Sequence, residues 1–159
     1  IRIAALADSS LVAVRLGICR HVVCASPAYL QTFGEPITPD ELRNHNALSF
    51  SYQDSPTQWQ FTATDGRRME VPVFGNLRIN NSLALREALL AGAGIALTPS
   101  FVVGPDLRAG LLRTVLTDYR LREVPIHAVY PQRRHLSPKV KAFIEFMAEH
   151  LARQPDLKG

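Results

Sequence analysis

The alternation of apolar and polar positions divides the chain into short strands and helices. Leu85, Ala88, Leu89 and Ala91 recur every three to four positions while Arg86 and Glu87 are charged, which predicts a helix with one buried face. Gly92 follows, and glycine enters the left-handed conformation of a helix end without steric cost. Ile95, Ala96 and Leu97 are apolar without alternation, as in a strand covered on both faces and so in half of a parallel α/β unit. The strand ends at Thr98-Pro99, and ligands of open α/β sheets gather at such carboxyl ends. Asn80-Asn81-Ser82 precedes the helix, with two readings: a cap only, or a cap that also offers backbone amides to an anion.

The same reading extends along the chain. Residues 1–6 fit a strand, followed by a turn at Asp8-Ser9-Ser10. Residues 12–25 read as strand broken at Gly17, and Ser26-Pro27 opens a helix through Leu30. Thr38, with Glu41 three positions on, predicts a capping box for a short helix to about Asn44, and a strand follows over residues 48–52. Residues 58–64 and 67–73 flank Asp65-Gly66, a strong hairpin signal. Further strands are predicted over 74–79, 112–116 and 125–130, with a turn or two of helix over 106–111. Ser137-Pro138 caps a last helix whose Val140, Phe143, Ile144, Met147 and Leu151 form an apolar stripe. That stripe needs a partner surface, part of which is expected to precede residue 1; residues 154–159 read as a loose tail.

Composition narrows the classes. A chain of 159 residues, 47% hydrophobic and 20% charged, has ordinary globular make-up with a core of its own. The net charge of +4 is spread out, with small clusters at Arg67-Arg68 and Arg133-Arg134, and lacks the dense basic stripe with interleaved aromatics of a nucleic-acid surface. No apolar run reaches membrane-spanning length and no signal peptide opens the chain, which begins without methionine, as if inside a strand. Cys19 and Cys24, placed on one strand, would face opposite sides; no metal spacing accompanies them, so they read as packed, reduced thiols.

No catalytic constellation is visible. Gly92-Ala93-Gly94 lacks the rest of a dinucleotide fingerprint and ends a helix instead of starting one; GxSxG, GxxxxGK and HExxH are absent. His21, His45, His127, His135 and His150 are not at metal-ligand spacing, and His21 and His127 fall on strands expected to be neighbours. Asp40 and Glu41 face different ways on a helix and fit a helix start, and Trp59 beside the hairpin reads as packing.

Three runs then carry a resemblance: LVAVRLGICRHVVCASPAYL, LREALLAGAGIALTPSFVVGPDLRAGLL and IHAVYPQRRHLSPKVKAFIEFM. In that order the chain, from Ile1 to about Leu151, closely resembles the carboxyl-terminal effector-binding domain of LysR-type transcriptional regulators. The resemblance implies an α/β fold of the type 2 periplasmic-binding-protein kind: two α/β lobes joined by two crossover strands, with the effector in the cleft between them and the first lobe incomplete. Residues 1–20 would be the remnant of lobe I and the outgoing crossover, 21–124 lobe II, and 125–159 the return crossover and the lobe I carboxyl-terminal helix.

Carried over residue by residue, the resemblance implies a ligand site of Arg2, Ser26, Asn80, Asn81, Ser82, Thr98, Pro99, Ser100 and Phe101. It implies a small organic anion as effector and no metal or other cofactor. It also implies self-association of the parent as a homodimer or tetramer, a cytoplasmic setting, and operator contact only through a helix-turn-helix domain not in this text. Two rivals share the scaffold: a solute-binding protein of a transport system, which would carry a signal peptide, and an enzyme, which would need a catalytic acid or nucleophile in the cleft.

Overall fold

In a computed structural model, residues 1–3, 11–52, 55–131, 137–154 and 156–157 are described. The chain runs through β1 (Arg2–Ile3), β2 (Leu11–Cys19), β3 (His21–Ala25), α1 (Pro27–Phe33), a 3-10 helix (Pro39–Asn44) and β4 (Leu48–Phe50). It continues through β5 (Gln58–Thr62), β6 (Arg68–Pro72), β7 (Leu77–Ile79), α2 (Ser82–Leu90), β8 (Ile95–Pro99) and α3 (Ser100–Arg108). The last elements are β9 (Arg113–Val115), β10 (Val124–Pro131) and α4 (Pro138–Ala152). Two compact units result, one of residues 1–20 with 123–159, the other His21–Arg122.

In the unit His21–Arg122, β3 lies antiparallel between β8 and β9, while β4 and β7 pair in parallel. A parallel bridge from Ala47 to Ile95 joins the two pieces, so the sheet reads β7-β4-β8-β3-β9 with only β3 reversed among these strands. Period-two alternation then serves both faces. Val23, Ala25 and Ile95 turn toward Tyr29, Leu42, Trp59, Phe61 and Val71, the side of α1, the 3-10 helix and the hairpin. Cys24 and Ala96 turn toward Leu85, Leu89, Val103 and Leu112, the side of α2 and α3. The unbroken apolar run of β8 follows from this double burial.

The helix-to-strand return depends on two glycines with different tasks. Gly92 has φ +74°, its N–H donates to Leu89 O and that of Ala93 to Ala88 O, the paired bonds of a left-handed helix end. At Gly94, an added Cβ would collide with Asn46 O, because that carbonyl accepts the Ile95 N–H. Gly75 meets Ala47 O in the same way at the start of the β7 segment. Asn46 completes the junction: its Nδ2 donates to Ala93 O and Asn76 Oδ1, and its N–H donates to the Tyr29 hydroxyl.

The other unit is built on β1-β10-β2, all antiparallel, with α4 packed on β2. Leu16, Cys19, Ile126, Ala128 and Leu151 form its core, with Ile144, Met147, Ala148 and Leu157 against them. Gly17 sits inside β2 because an added Cβ would stand 2.6 Å from Leu157 O, which accepts the Ile18 N–H.

Several expectations are corrected. The strand over 12–25 breaks at Arg20, not at Gly17, which puts Cys19 on β2 and Cys24 on β3; both are free and buried, in different cores. His21 and His127 are not on neighbouring strands: β3 pairs with β8 and β9, β10 with β1 and β2. The helix expected over 106–111 begins at Ser100, since burial of Val103, Gly104 and Asp106 overrides the breaker signal of Gly104-Pro105. Thr38 and Glu41 do not form a capping box: the Glu41 carboxylate accepts from the Thr38 hydroxyl and the Ile37 N–H, and the helix is 3-10. In α4, Phe143 is half exposed and the buried side is Ile144, Met147, Ala148 and Leu151; Ser137 makes no side-chain cap bond. The turn at Asp8-Ser9-Ser10, Arg133-Arg134, His135 and part of the tail lie outside the described residues.

Leu89 is fully buried beneath the sheet. Leu89→Ala is expected to lower the unfolding free energy by roughly 2–5 kcal/mol, read from the urea midpoint at unchanged slope.

Candidate functional site

Parallel pairing of β4, β7 and β8 brings their carboxyl ends to one edge of the sheet. Asn80-Asn81-Ser82 leaves β7 there and starts α2; Pro99-Ser100-Phe101 leaves β8 there and starts α3. β3 runs the other way, so His21, paired with Pro99, joins the same edge. Ser51, whose N–H donates to Ile79 O at 2.7 Å, and exposed Tyr52 leave β4 beside them. Ser51 and Tyr52 were not expected at this edge, because the strand over 48–52 is legible in the sequence and its long-range partner is not; His21 joins the edge through its pairing with Pro99.

The helix starts differ chemically. Asn81 caps α2, its Oδ1 accepting from Leu83 N at 2.9 Å and Ala84 N at 3.2 Å. Capping therefore uses two of the amides expected to face a ligand and leaves that of Ser82, the first helical residue. α3 has Pro99 at its N-cap, with no side-chain acceptor, so the first-turn amides of Phe101 and Val102 meet no cap. Arg86 ties the two helices together: Nε and Nη2 donate to the two carboxylate oxygens of Asp106, each at 2.5 Å, and Nη1 donates to Glu87. Asp106 is almost fully buried, and its bidentate partner gives the helix pair a fixed register.

The remaining expected residues stand elsewhere or point elsewhere. Ser26 is buried and caps α1 by accepting from Tyr29 N; because β3 is antiparallel to β8, it lies by Gly92 at the opposite edge, roughly 15 Å from the Pro99 level. Thr98 is 1% exposed, its side chain on the same face of β8 as Ala96, beneath α2 and α3. Phe101 is 38% exposed, and Asn80 and Asn81 are exposed. Arg2 lies in the other unit, exposed on β1 opposite His127. A groove of about 670 Å³ is lined on the hairpin by Gln60, Phe61, Thr62, Arg68, Met69 and Glu70 and by Leu121 and Arg122.

Burial sets the titration of the nearby groups. It pushes the Cys24 thiol up to about 12, with the Asp106 charge adding to the effect, and that of Cys19 to about 11, so neither is a thiolate nucleophile at neutral pH. Burial lowers His21 below its ordinary value, opposed by a hydrogen bond to the Arg122 backbone, and lowers His45, opposed by the charge of Glu41. The Tyr29 hydroxyl accepts from Asn46 N and shares a hydrogen bond with His45 Nδ1, 3.2 Å away, whose direction follows the imidazole tautomer. Among the described residues no group of three or more histidine, cysteine or acidic side chains could hold a metal ion, and no helix is long and apolar enough to cross a membrane.

Comparison with known proteins gives one answer. Residues 1–152 match the family described as LysR substrate binding domain. An HTH-type transcriptional regulator of Xanthomonas campestris pv. campestris (strain 8004) is 38% identical over 154 residues, covering 95% of this chain and 45% of that regulator. The HTH-type transcriptional regulator PtxR of Pseudomonas aeruginosa is 34% identical, covering 93% and 47%. The regulatory domain of CrgA, a LysR-type transcriptional regulator from Neisseria meningitidis, superposes with TM-score 0.81 at 29% identity, over 94% of this chain and 73% of that one. The full-length Vibrio cholerae virulence activator AphB superposes with TM-score 0.82 at 28% identity, covering 94% and 50%. The chain spans about half the length of the regulators it matches.

Two outcomes are expected here. Asn81→Ala, which frees the Leu83 and Ala84 amides, should cost about 1 kcal/mol in chemical denaturation. Since His21 and His45 are held below the ordinary 6.5, the unfolded chain takes up protons first as pH falls; stability is full above that value and declines beneath it. The urea midpoint should therefore drop between pH 7.5 and 5.5, and His45→Gln should flatten that slope; Glu41, held low, acts only below its ordinary 4.5.

Proposed function

This chain belongs to the LysR substrate-binding domain family, and we propose that its effector is a small organic anion seated at the carboxyl-end edge of the sheet in His21–Arg122. The domain is an effector-binding regulatory domain of the kind found in helix-turn-helix transcriptional regulators, with a type 2 periplasmic-binding-protein-like fold, and its relatives are transcriptional regulators. The observation that carries the effector's place is the shared edge at which α2 and α3 both begin, held in register by Arg86 and Asp106. A carboxylate there meets the amides of Ser82, Phe101 and Val102 and the positive ends of two helix dipoles. Asn80, Asn81, Pro99, Ser100 and the half-exposed Phe101 surround it, and Thr98 contributes backbone only.

In this reading residues 1–20 and 125–159 belong to lobe I and its crossovers, and 21–124 to lobe II. The effector acts by population shift: it binds one arrangement of a self-associated regulator better than another, and only that difference in affinity changes how a helix-turn-helix elsewhere in the regulator meets operator DNA. Such a regulator works in the cytoplasm, where its operator is.

The test removes one amide and little else. Ser82 is the first residue of α2, where proline is tolerated, and Asn81 has the extended backbone (φ −122°, ψ 117°) that a following proline requires. Ser82→Pro is expected to weaken binding of the tightest carboxylate, found by calorimetry over a panel of small carboxylates, roughly 10- to 100-fold with an unchanged melting temperature. Equal affinity in the two proteins would remove α2 from the site.

A further inference from the structure

His21 stands where two parts of the unit His21–Arg122 meet. It opens β3, and the antiparallel ladder sets it opposite Pro99, the residue that ends β8 and N-caps α3. Residues paired across such a ladder lie about 5 Å apart at Cα, so the ring is within electrostatic range of a charge held at the first-turn amides of α3. Period-two geometry sends the side chain out on the face of Val23 and Ala25, the side away from α2 and α3. It therefore stands beside the effector's place and does not touch the effector.

On that face the ring is half-buried and bonds the Arg122 backbone. The bond favours the protonated ring, so a ring N–H donates and the Arg122 carbonyl accepts, which leaves the second ring nitrogen to gain or lose a proton. Arg122 is the last residue of this unit, and the chain enters β10 at Val124. The imidazole thus joins the strand at the effector edge to the segment that leaves the unit. Of the elements around it, β8 carries no titratable side chain, and β9 brings Arg113, which sits opposite Ala25 at the far end of β3 and pairs with Glu35 at 2.8 Å. The return segment brings Asp118, Tyr119, Arg120 and Arg122, and the hairpin brings Arg68 and Glu70. Arg20, before His21 in the chain, pairs with Glu123 at 2.9 Å. Burial first and the Arg122 backbone second set the ring's titration, and burial holds it neutral at neutral pH. A carboxylate arriving at α3 adds a negative charge that favours the imidazolium.

We infer that His21 is a positioning residue that takes up a proton as the effector anion binds and, as an imidazolium, holds the Arg122 carbonyl more tightly, so that occupancy of the edge reaches the segment that leaves the unit. The inference rests on the effector reading above and adds its regulation. The proton comes from solvent to the ring nitrogen not bonded to Arg122, and no bond forms between His21 and the anion. A hydrogen bond from an ionised donor is shorter and stronger than a neutral one, so the uptake tightens the tie to Arg122. Because the free ring is neutral at neutral pH, the anion is bound more tightly as pH falls.

The test uses the full 159-residue chain and calorimetry with lactate, pyruvate and benzoate, which stay ionised between pH 5.5 and 7.5, each titrated in two buffers of different ionisation heat. For the tightest of the three, affinity is expected to rise roughly three- to tenfold from pH 7.5 to 5.5, with a proton uptake that shows as a buffer-dependent heat. His21→Gln keeps an N–H donor for the Arg122 carbonyl but cannot titrate. It should bind within about twofold of the unaltered chain at pH 7.5 and lose both the rise and the uptake. The carbonyl carbon resonance of Arg122 should move on binding in the unaltered chain and stay in place in His21→Gln. Binding without proton uptake, a rise of equal size in His21→Gln, or an unmoved Arg122 carbonyl overturns this inference and leaves the effector edge standing. Absence of binding by all three at both pH values overturns it through the reading on which it rests.

Discussion

The architecture of His21–Arg122 depends on the close approach of backbone at Asn46-Ala47. The carbonyl of Asn46 receives the first N–H of β8 where a side chain at Gly94 would collide, and Ala47 crowds Gly75 in the same way. One dipeptide thus sets the start of β8 and the approach to β7, and through the Tyr29 hydroxyl it reaches α1. Once these starts are aligned, the parallel strands must also end together, and the helices that follow them begin together. The shared edge at which α2 and α3 open is the far-end consequence of a junction built from glycine and amide groups. Arg86 and Asp106 then fix what the strands have aligned.

Much of this was legible along the chain because it is local. Asp65-Gly66 marks a hairpin, with Gly66 at φ +86°; Gly92 marks a helix end; and the spacing of Leu85 and Leu89 marks a buried helix face. The run Ile95 to Leu97 even announced a sheet covered on both sides. What was not legible is pairing over distance. Nothing near β3 says that it lies reversed between β8 and β9, yet that reversal places Ser26 at the edge opposite the starts of α2 and α3 and brings His21 to the edge where they begin. Nothing near Gly17 says that the ladder slips by one residue, yet the slip decides which way Arg15 points.

The site expectations divide along the same line. Residues assigned by position after a strand, Asn80 to Ser82 and Pro99 to Phe101, share an edge because carboxyl ends of parallel strands do so by topology. Thr98 was assigned with them but sits one residue inside the strand, where period-two geometry turns its side chain under the helices. Asn81 shows how the two readings of an amide-rich start coexist: its side chain occupies two amides and leaves one.

The meeting of Gly17 with Leu157 is one in which main chain takes the place of a side chain. Strand β2 carries a notch rather than a knob, and the segment after α4 fills it with a carbonyl while Ile18 supplies the proton. The order of that carboxyl-terminal segment is therefore written at residue 17, some 140 positions upstream, and any side chain placed there would evict it without touching the helix before it.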